Sequence, residues 1–156
     1  MSSGVIDQKL QALNIVLPPS AAPVANYVPF VISGNLVVIS GQLPMKEGKL
    51  QHLGKVGKDV TIEQAQDAAK LCGIGLLSHL RSACGGNLDR VKRCVRLGVF
   101  VACAEGFTDQ PKVANGVSDM MVEIFGDKGK HARAAVGTNA LPFGVSVEVE
   151  GMFEIE

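Results

Sequence analysis

The sequence predicts an α+β domain in which helices pack on one face of a mixed β-sheet, and three observations lead to this fold class. The chain has 156 residues, a length typical of one domain. Its 47% apolar and 19% charged residues provide a core and exclude the composition of a disordered chain. The spacing of its apolar residues predicts the element order α, β-hairpin, long α, β, α, β, β, which is typical of a domain of two packed layers.

The first predicted elements are a helix and a hairpin. Apolar residues recur at helical spacing over residues 4–14, and a proline-rich connector follows over residues 17–23. Two apolar runs around Ser33-Gly34-Asn35 predict a β-hairpin, because Gly-Asn accepts the positive φ values of a tight turn. Pro29 lacks a backbone donor and predicts that the first strand is an edge or is bulged. Residues 41–49 are expected to form a loop.

The strongest helix signal covers residues 61–84. Thr61 and Gln64 fit a capping box at its start. Gly73 and Gly75 lower its intrinsic stability, so they predict close packing against a neighbour. Gly85-Gly86-Asn87 ends the helix.

The second half of the chain alternates strands with one more helix. A buried strand is predicted over residues 91–104, a helix over 110–125, a mobile turn over 126–131 and a short strand over 132–138. Residues 141–144 turn the chain. The last segment, 145–156, alternates apolar residues with Ser146 and four glutamates, which predicts a strand with one polar face.

Composition excludes several classes of function. Fifteen basic and fifteen acidic residues give no net charge and therefore no electrostatic footprint for nucleic acid or membranes. The four cysteines and three histidines lack metal-ligand spacing, and no dinucleotide, P-loop or hydrolase motif occurs. We do not expect the amino-terminal residues to be a signal peptide, and no apolar run reaches membrane-spanning length. We expect a soluble cytoplasmic protein with reduced thiols that self-associates.

Arg133 and Glu148 are the main candidates for chemistry. In a strand Arg133 shares its face with Ala135 and Gly137, so its guanidinium would overlook empty space and suit a carboxylate bound through two hydrogen bonds. The alternative is an ordinary surface arginine. Glu148 on the last strand can hold or activate a water if burial raises its pKa. A solvated face of glutamates is the alternative that the residues alone favour.

Three further polar residues have both a functional and a structural interpretation. The Tyr27 hydroxyl forms a hydrogen bond to a ligand, or Tyr27 is an aromatic residue of a strand whose hydroxyl reaches solvent. Ser40 bonds an anion or closes a turn. For Asn115, capping within the helix predicted over residues 110–125 is the default explanation.

Four strings together resemble the Rid (YjgF-like) family, long labelled endoribonuclease L-PSP. They begin at Val38 (VISGQLP), Ala132 (ARAAVG), Leu141 (LP) and Val147 (VEVE). The order and spacing match from about residue 24 to the end, after an amino-terminal helical extension over residues 1–20. The combination is specific, whereas each string alone is weak.

The resemblance implies a chorismate-mutase-like fold that forms a homotrimer with clefts between subunits. It implies hydrolysis of reactive enamine or imine acids to 2-keto acids and ammonia without a cofactor or metal. By position, Arg133 would clamp the substrate carboxylate and Glu148 would orient the attacking water. The substrate-binding residues implied by the resemblance are Tyr27, Ser40, Gly41, Asn115 and Ala135.

The chain departs from the family pattern around the arginine. Deaminase members usually carry Phe-Pro-Ala before it, where this chain has Lys130-His131-Ala132, and often Cys where this chain has Ala135. These departures indicate a divergent subgroup. Two other functions stay open: a non-catalytic trimer that senses small 2-keto or amino acids, and a ribonuclease, which zero charge and scarce aromatics disfavour.

Overall fold

The structure is a computed structural model that describes residues 4–20 and 26–156, so part of the predicted connector lies outside the described residues. Its elements follow the predicted order. The helices are α1 (Val5–Ala12), α2 (Ile62–Ala83) and α3 (Gln110–Phe125). The strands are β1 (Phe30–Ser33), β2 (Leu36–Gln42), β3 (Met45–Lys46), β4 (Lys49–Leu50), β5 (Val91–Ala102), β6 (Ala132–Thr138) and β7 (Val147–Ile155).

Five strands form one mixed sheet in the order β1-β2-β7-β5-β6. The pair β5–β6 is parallel, and the pairs β1–β2, β2–β7 and β5–β7 are antiparallel. The strand that follows Pro29 lies at an edge, as that residue predicted. The mixed sheet confirms the α+β fold class.

The helices cover one face of this sheet. Along β7 the alternate residues Val147, Val149 and Phe153 are fully buried, and they belong to the core that α2 and α3 complete. The residues between them face the other way and stay partly exposed. On that second face Val38 and Val136 are 41% and 46% exposed, so apolar surface remains there.

Glycines let the two long helices approach each other closely. A Cβ atom at Gly116 of α3 would overlap the backbone carbonyl of Gln66 in α2. A Cβ atom at Gly73 would lie 2.8 Å from Val117 Cγ2, and one at Gly75 would lie 2.8 Å from Gln42 Oε1. The predicted close packing at Gly73 and Gly75 is therefore confirmed, as is the capping box of Thr61 and Gln64.

Polar side chains of α2 hold the segment that follows α1. Ser78 Oγ donates to the Pro18 carbonyl at 2.5 Å, and Arg81 Nη2 donates to the Leu17 carbonyl at 3.2 Å. The Oγ of Ser20 and Nδ1 of His79 are 2.6 Å apart. Burial lowers the pKa of His79, which favours a neutral imidazole.

Three local expectations were wrong. Residues 41–49 contain the end of β2 and the two-residue strands β3 and β4, whose tight connection uses positive φ at Glu47 and Gly48. Gly126–Gly129 is a 3₁₀ helix rather than a mobile turn. In the first hairpin only Gly34 takes a positive φ, and Asn35 does not. No helix within the described ranges is both long and apolar enough to cross a membrane.

Candidate functional site

The sequence-predicted site residues fall into two groups. The Glu148 group, at the end of β2 and the start of β7, comprises Ser40, Gly41 and Glu148, and Tyr27 joins it through a cavity that Tyr27 lines with Ser40 and Gly41 but that Glu148 does not line. The Arg133 group, on β6 and α3, comprises Asn115, Arg133 and Ala135. Because β5 lies between β7 and β6, the two groups are separated across the sheet.

Two residues of α3 hold the guanidinium of Arg133. Its Nη1 donates to Asn115 Oδ1 at 2.9 Å and to Ser118 Oγ at 3.0 Å. Both hydrogens of Nη1 are thereby engaged, which fixes the plane of the group. The Nε and Nη2 hydrogens on the other edge have no partner among residues 4–20 and 26–156, and that edge matches the two oxygens of a carboxylate.

The environment of Arg133 corrects two expectations. Its guanidinium does not overlook empty space, because α3 provides polar partners on the same side of the sheet. Asn115 does not cap α3, whose N-cap residue is Asp109, but lies within the helix and binds the arginine. Asn115 also lines a cavity of about 170 Å³ between α2 and α3. Sequence reasoning missed Ser118, and its spacing of three residues from Asn115 on a helix is the signal that pairs them.

Ala135 lies two residues beyond Arg133 on the same side of β6 and packs against the core. Its small side chain leaves room beside the arginine. A Cβ atom at Gly137, the next residue on that side, would lie 2.8 Å from Gln110 Nε2. The small-residue surface that the sequence predicted next to Arg133 is therefore present, with Gln110 at its far end.

Gly41 and Glu148 form the centre of the other group. The pairing of β2 with β7 is irregular between Ile39 and Gln42, so Ser40 and Gly41 occupy a bulge. A Cβ atom at Gly41 would lie 2.8 Å from Glu148 Oε1. The bare backbone at Gly41 thus makes room for the carboxylate.

Ser40 lies next to Gly41 in the bulge, and Tyr27 lies before β1. Ser40 Oγ donates to the Val28 carbonyl at 2.7 Å, which ties the bulge to the segment before β1. Tyr27 is 58% exposed. Both residues line a mainly apolar cavity of about 500 Å³ that also includes Gly41 and His79. His79 is a lining residue that the sequence analysis did not select.

Glu148 is half-buried, and this changes its acidity. Burial raises the pKa of its carboxyl, and the charge of Glu150 raises it further. Beneath it, Cys72 is fully buried and donates its thiol hydrogen to the Val147 carbonyl at 3.6 Å. Burial, and then the charge of Glu148, hold the pKa of Cys72 well above its usual range, which favours the thiol over the thiolate.

Within one chain, Arg133 and Glu148 lie on opposite faces of the sheet. Arg133 pairs in register with Leu97, and Glu148 pairs with Phe100 on the same strand, β5. Residues three apart in a strand point to opposite sides. Leu97 faces the helices and is fully buried, so Arg133 lies on the helix side and Glu148 on the open side. A single chain therefore keeps the Arg133 group and the Glu148 group apart.

Comparison with known proteins identifies a family and close relatives. Residues 7–153 match the family model described as "YjgF/chorismate_mutase-like, putative endoribonuclease". Protein TCP17 of Trypanosoma cruzi is 44% identical over 156 residues, which cover 99% of this chain and 97% of that protein.

Two solved structures share the whole fold. The protein Atu1372 of unknown function from Agrobacterium tumefaciens is 44% identical with a TM-score of 0.90, over 97% of this chain and 92% of that one. A "putative endoribonuclease" from Shewanella oneidensis is 32% identical with a TM-score of 0.92, over 97% of this chain and 100% of that one. The resemblance predicted from the four sequence strings is confirmed.

Proposed function

Because the chain belongs to the YjgF/chorismate mutase-like family, we propose that it hydrolyses small 2-imino or 2-amino-alkenoic acids to 2-keto acids and ammonia. The observation that carries this proposal is the free Nε–Nη2 edge of Arg133, which Asn115 and Ser118 hold in place. A planar pair of donors beside small residues is suited to a short 2-substituted carboxylate.

The chemistry requires one water and one base. Arg133 binds the carboxylate through two hydrogen bonds. An enamine first tautomerises to the imine. Ionised Glu148 accepts a proton from water as the water oxygen forms a bond to the C=N carbon, and the Glu148 carboxyl then gives this proton to the imine nitrogen, which yields an amino alcohol. Transfer of the hydroxyl proton through Glu148 to the amine breaks the C–N bond and releases ammonia and the 2-keto acid, so Glu148 is ionised again and no oxidant is needed. A carboxyl with a raised pKa is a better base for this step than an ordinary glutamate.

The reaction requires the Arg133 group and the Glu148 group to contact the same substrate molecule. The proposal therefore includes assembly of a homotrimer with clefts shared between subunits. One chain holds Arg133 and Glu148 on opposite faces of its sheet. The open face carries apolar side chains, Val38 and Val136 among them, and closed symmetry would bury them. In such a cleft the Arg133 group of one copy meets the Glu148 group of another.

A non-catalytic sensor of 2-keto acids is the second candidate, because the same edge of Arg133 would bind a keto acid as well as an imine. The two functions differ only in turnover. Ribonuclease activity is disfavoured, since zero net charge gives no overall attraction for RNA phosphates and aromatic residues for base stacking are scarce. A location in the cytoplasm remains a prediction.

Two experiments test this proposal. An amino-acid oxidase or dehydratase generates imine in situ, and the protein should accelerate release of the keto acid. Then Arg133→Ala and Glu148→Gln subunits, each inactive alone, are unfolded together and refolded in equal amounts. If each site combines residues of two copies, about one quarter of sites regain both groups. A mixture that stays inactive, although wild-type subunits refold actively in parallel, would contradict the shared cleft.

A further inference from the structure

Arg133 belongs to a chain of hydrogen bonds that extends beyond α3. Ser118 Oγ, which accepts from Arg133 Nη1, lies 2.9 Å from His131 Nε2. On the other side of the imidazole, Nδ1 lies 2.6 Å from the Gly129 carbonyl. This series of hydrogen bonds, which we call the relay, therefore runs from Arg133 through Ser118 and His131 to the backbone at Gly129.

With a neutral imidazole, the donors and acceptors in this series of hydrogen bonds allow one direction only. A carbonyl oxygen only accepts, so His131 Nδ1 carries the hydrogen. In the neutral imidazole Nε2 then has a lone pair, and the Ser118 hydroxyl must donate to it. The Ser118 oxygen keeps its lone pairs for Arg133, whose Nη1 hydrogen it accepts. The hydrogen-bond direction of each group in the relay is thus set by its neighbour.

The Gly129 end of this series of hydrogen bonds packs closely against α3. A Cβ atom at Gly129 would overlap the carbonyl of Met121 in α3, so the backbone here packs directly against the helix. The 3₁₀ helix Gly126–Gly129 ends at this point, and β6 begins three residues later. The carbonyl that holds His131 consequently has a set position relative to α3.

We propose that His131 is a positioning residue for the carboxylate clamp: it orients the Ser118 hydroxyl, which holds Arg133 so that its Nε–Nη2 edge stays free for the ligand. This inference rests on the proposed role of Arg133. It assigns a role to the position where deaminase members of the family usually have proline, and it implies that this chain orients its arginine by a side chain of its own.

The first test measures binding of 2-ketobutyrate by calorimetry. His131→Phe keeps a ring but removes the acceptor, and it should weaken binding about tenfold, the factor of one net hydrogen bond. His131→Gln places an amide oxygen near Nε2 and should restore most of the affinity. Thermal unfolding of each variant separates this effect from loss of folding. If His131→Phe folds and binds as tightly as wild type, the proposal is wrong.

A double-mutant cycle shows whether the effect passes through Ser118. Ser118→Ala should weaken binding as much as His131→Phe, and the double variant should lose little more than either. Ser82→Ala, an exposed serine on α2, is the matched control and should bind normally. In turnover assays the relay variants should raise KM and leave kcat nearly unchanged, because they loosen substrate binding rather than the water-activating group. Additive losses would contradict the relay.

Nitrogen NMR of the His131 imidazole tests the relay independently of ligand binding. A wild type that binds no keto acid would reject the proposed function, and the NMR experiment would still test the relay. The relay predicts the Nδ1–H tautomer of His131 and a shift of the Nε2 resonance in Ser118→Ala. An Nε2–H tautomer, or an Nε2 resonance that does not move in Ser118→Ala, would overturn it.

Discussion

The Cα atom of Gly41 lies so close to Glu148 that a methyl group there would come within 2.8 Å of Glu148 Oε1. Gly41 does not have a positive φ, so space and not backbone conformation requires glycine at this position. Room for a carboxylate therefore explains the glycine of the SGQ string, one of the four strings that together resemble the family. This close approach lies where β2 pairs with β7.

Gly41→Ala is expected to displace the Glu148 carboxylate and lower imine turnover by about tenfold or more, the range for a misplaced acid–base group. Stability should change little, because the contacted atom is the end of a flexible side chain. Turnover and urea unfolding measure the two effects. In a Glu148→Gln background the same alanine should cost little further activity; an undiminished additional loss would show that Gly41 acts in another way.

Arg133→Lys is expected to weaken 2-keto acid binding by about 1.5–3 kcal/mol, the range for hydrogen bonds to charged groups. Lysine keeps the charge but loses the planar pair of donors and the two fixed bonds to Asn115 and Ser118. The free energy of unfolding should change little, because Arg133 is exposed. Calorimetric titration with pyruvate checks the prediction, and wild-type affinity in the variant would refute the clamp.

Gly116→Ala is expected to destabilise the protein by about 1–3 kcal/mol, the range for overpacking. The new methyl group would overlap the backbone of Gln66, which cannot move without displacing α2. Urea unfolding measures the loss. Lys112→Ala, at an exposed position of the same helix, is the control and should stay close to wild type. Equal stability of the two variants would mean that the helices separate easily at this crossing.

Stability should fall as pH drops below the ordinary histidine value of 6.5, partly because of His79. Burial lowers its folded-state pKa, so between the lowered value and 6.5 the unfolded chain binds more protons than the folded one. His79→Gln has no titrating group and should lose less stability over this range. Ser20→Ala keeps the imidazole and should retain the pH dependence. Parallel curves for wild type and His79→Gln would contradict the assignment.

The sequence predicted the long elements because their periodicity extends over many residues, as in α2 and β7. The strands β3 and β4 have two residues each, too few to show alternation. Arg133 and Glu148 were candidates from their positions in predicted strands, and the resemblance implied their roles. Their placement on opposite faces depends on the register of β6 and β7 against β5, which no single segment contains. Ser118 and His131 were missed because their hydrogen bond joins a helix to the segment before β6.

Glu148→Gln separates an enzyme from a sensor. Glutamine keeps the shape beside Gly41 and can still hold a water, but it cannot accept the proton that imine hydrolysis releases. For a deaminase, turnover should fall roughly 10²-fold or more while binding of a keto acid at Arg133 persists. For a sensor, the wild type shows no turnover and binding is nearly indifferent to the change. Full turnover in Glu148→Gln would keep the deaminase and remove Glu148 from its mechanism.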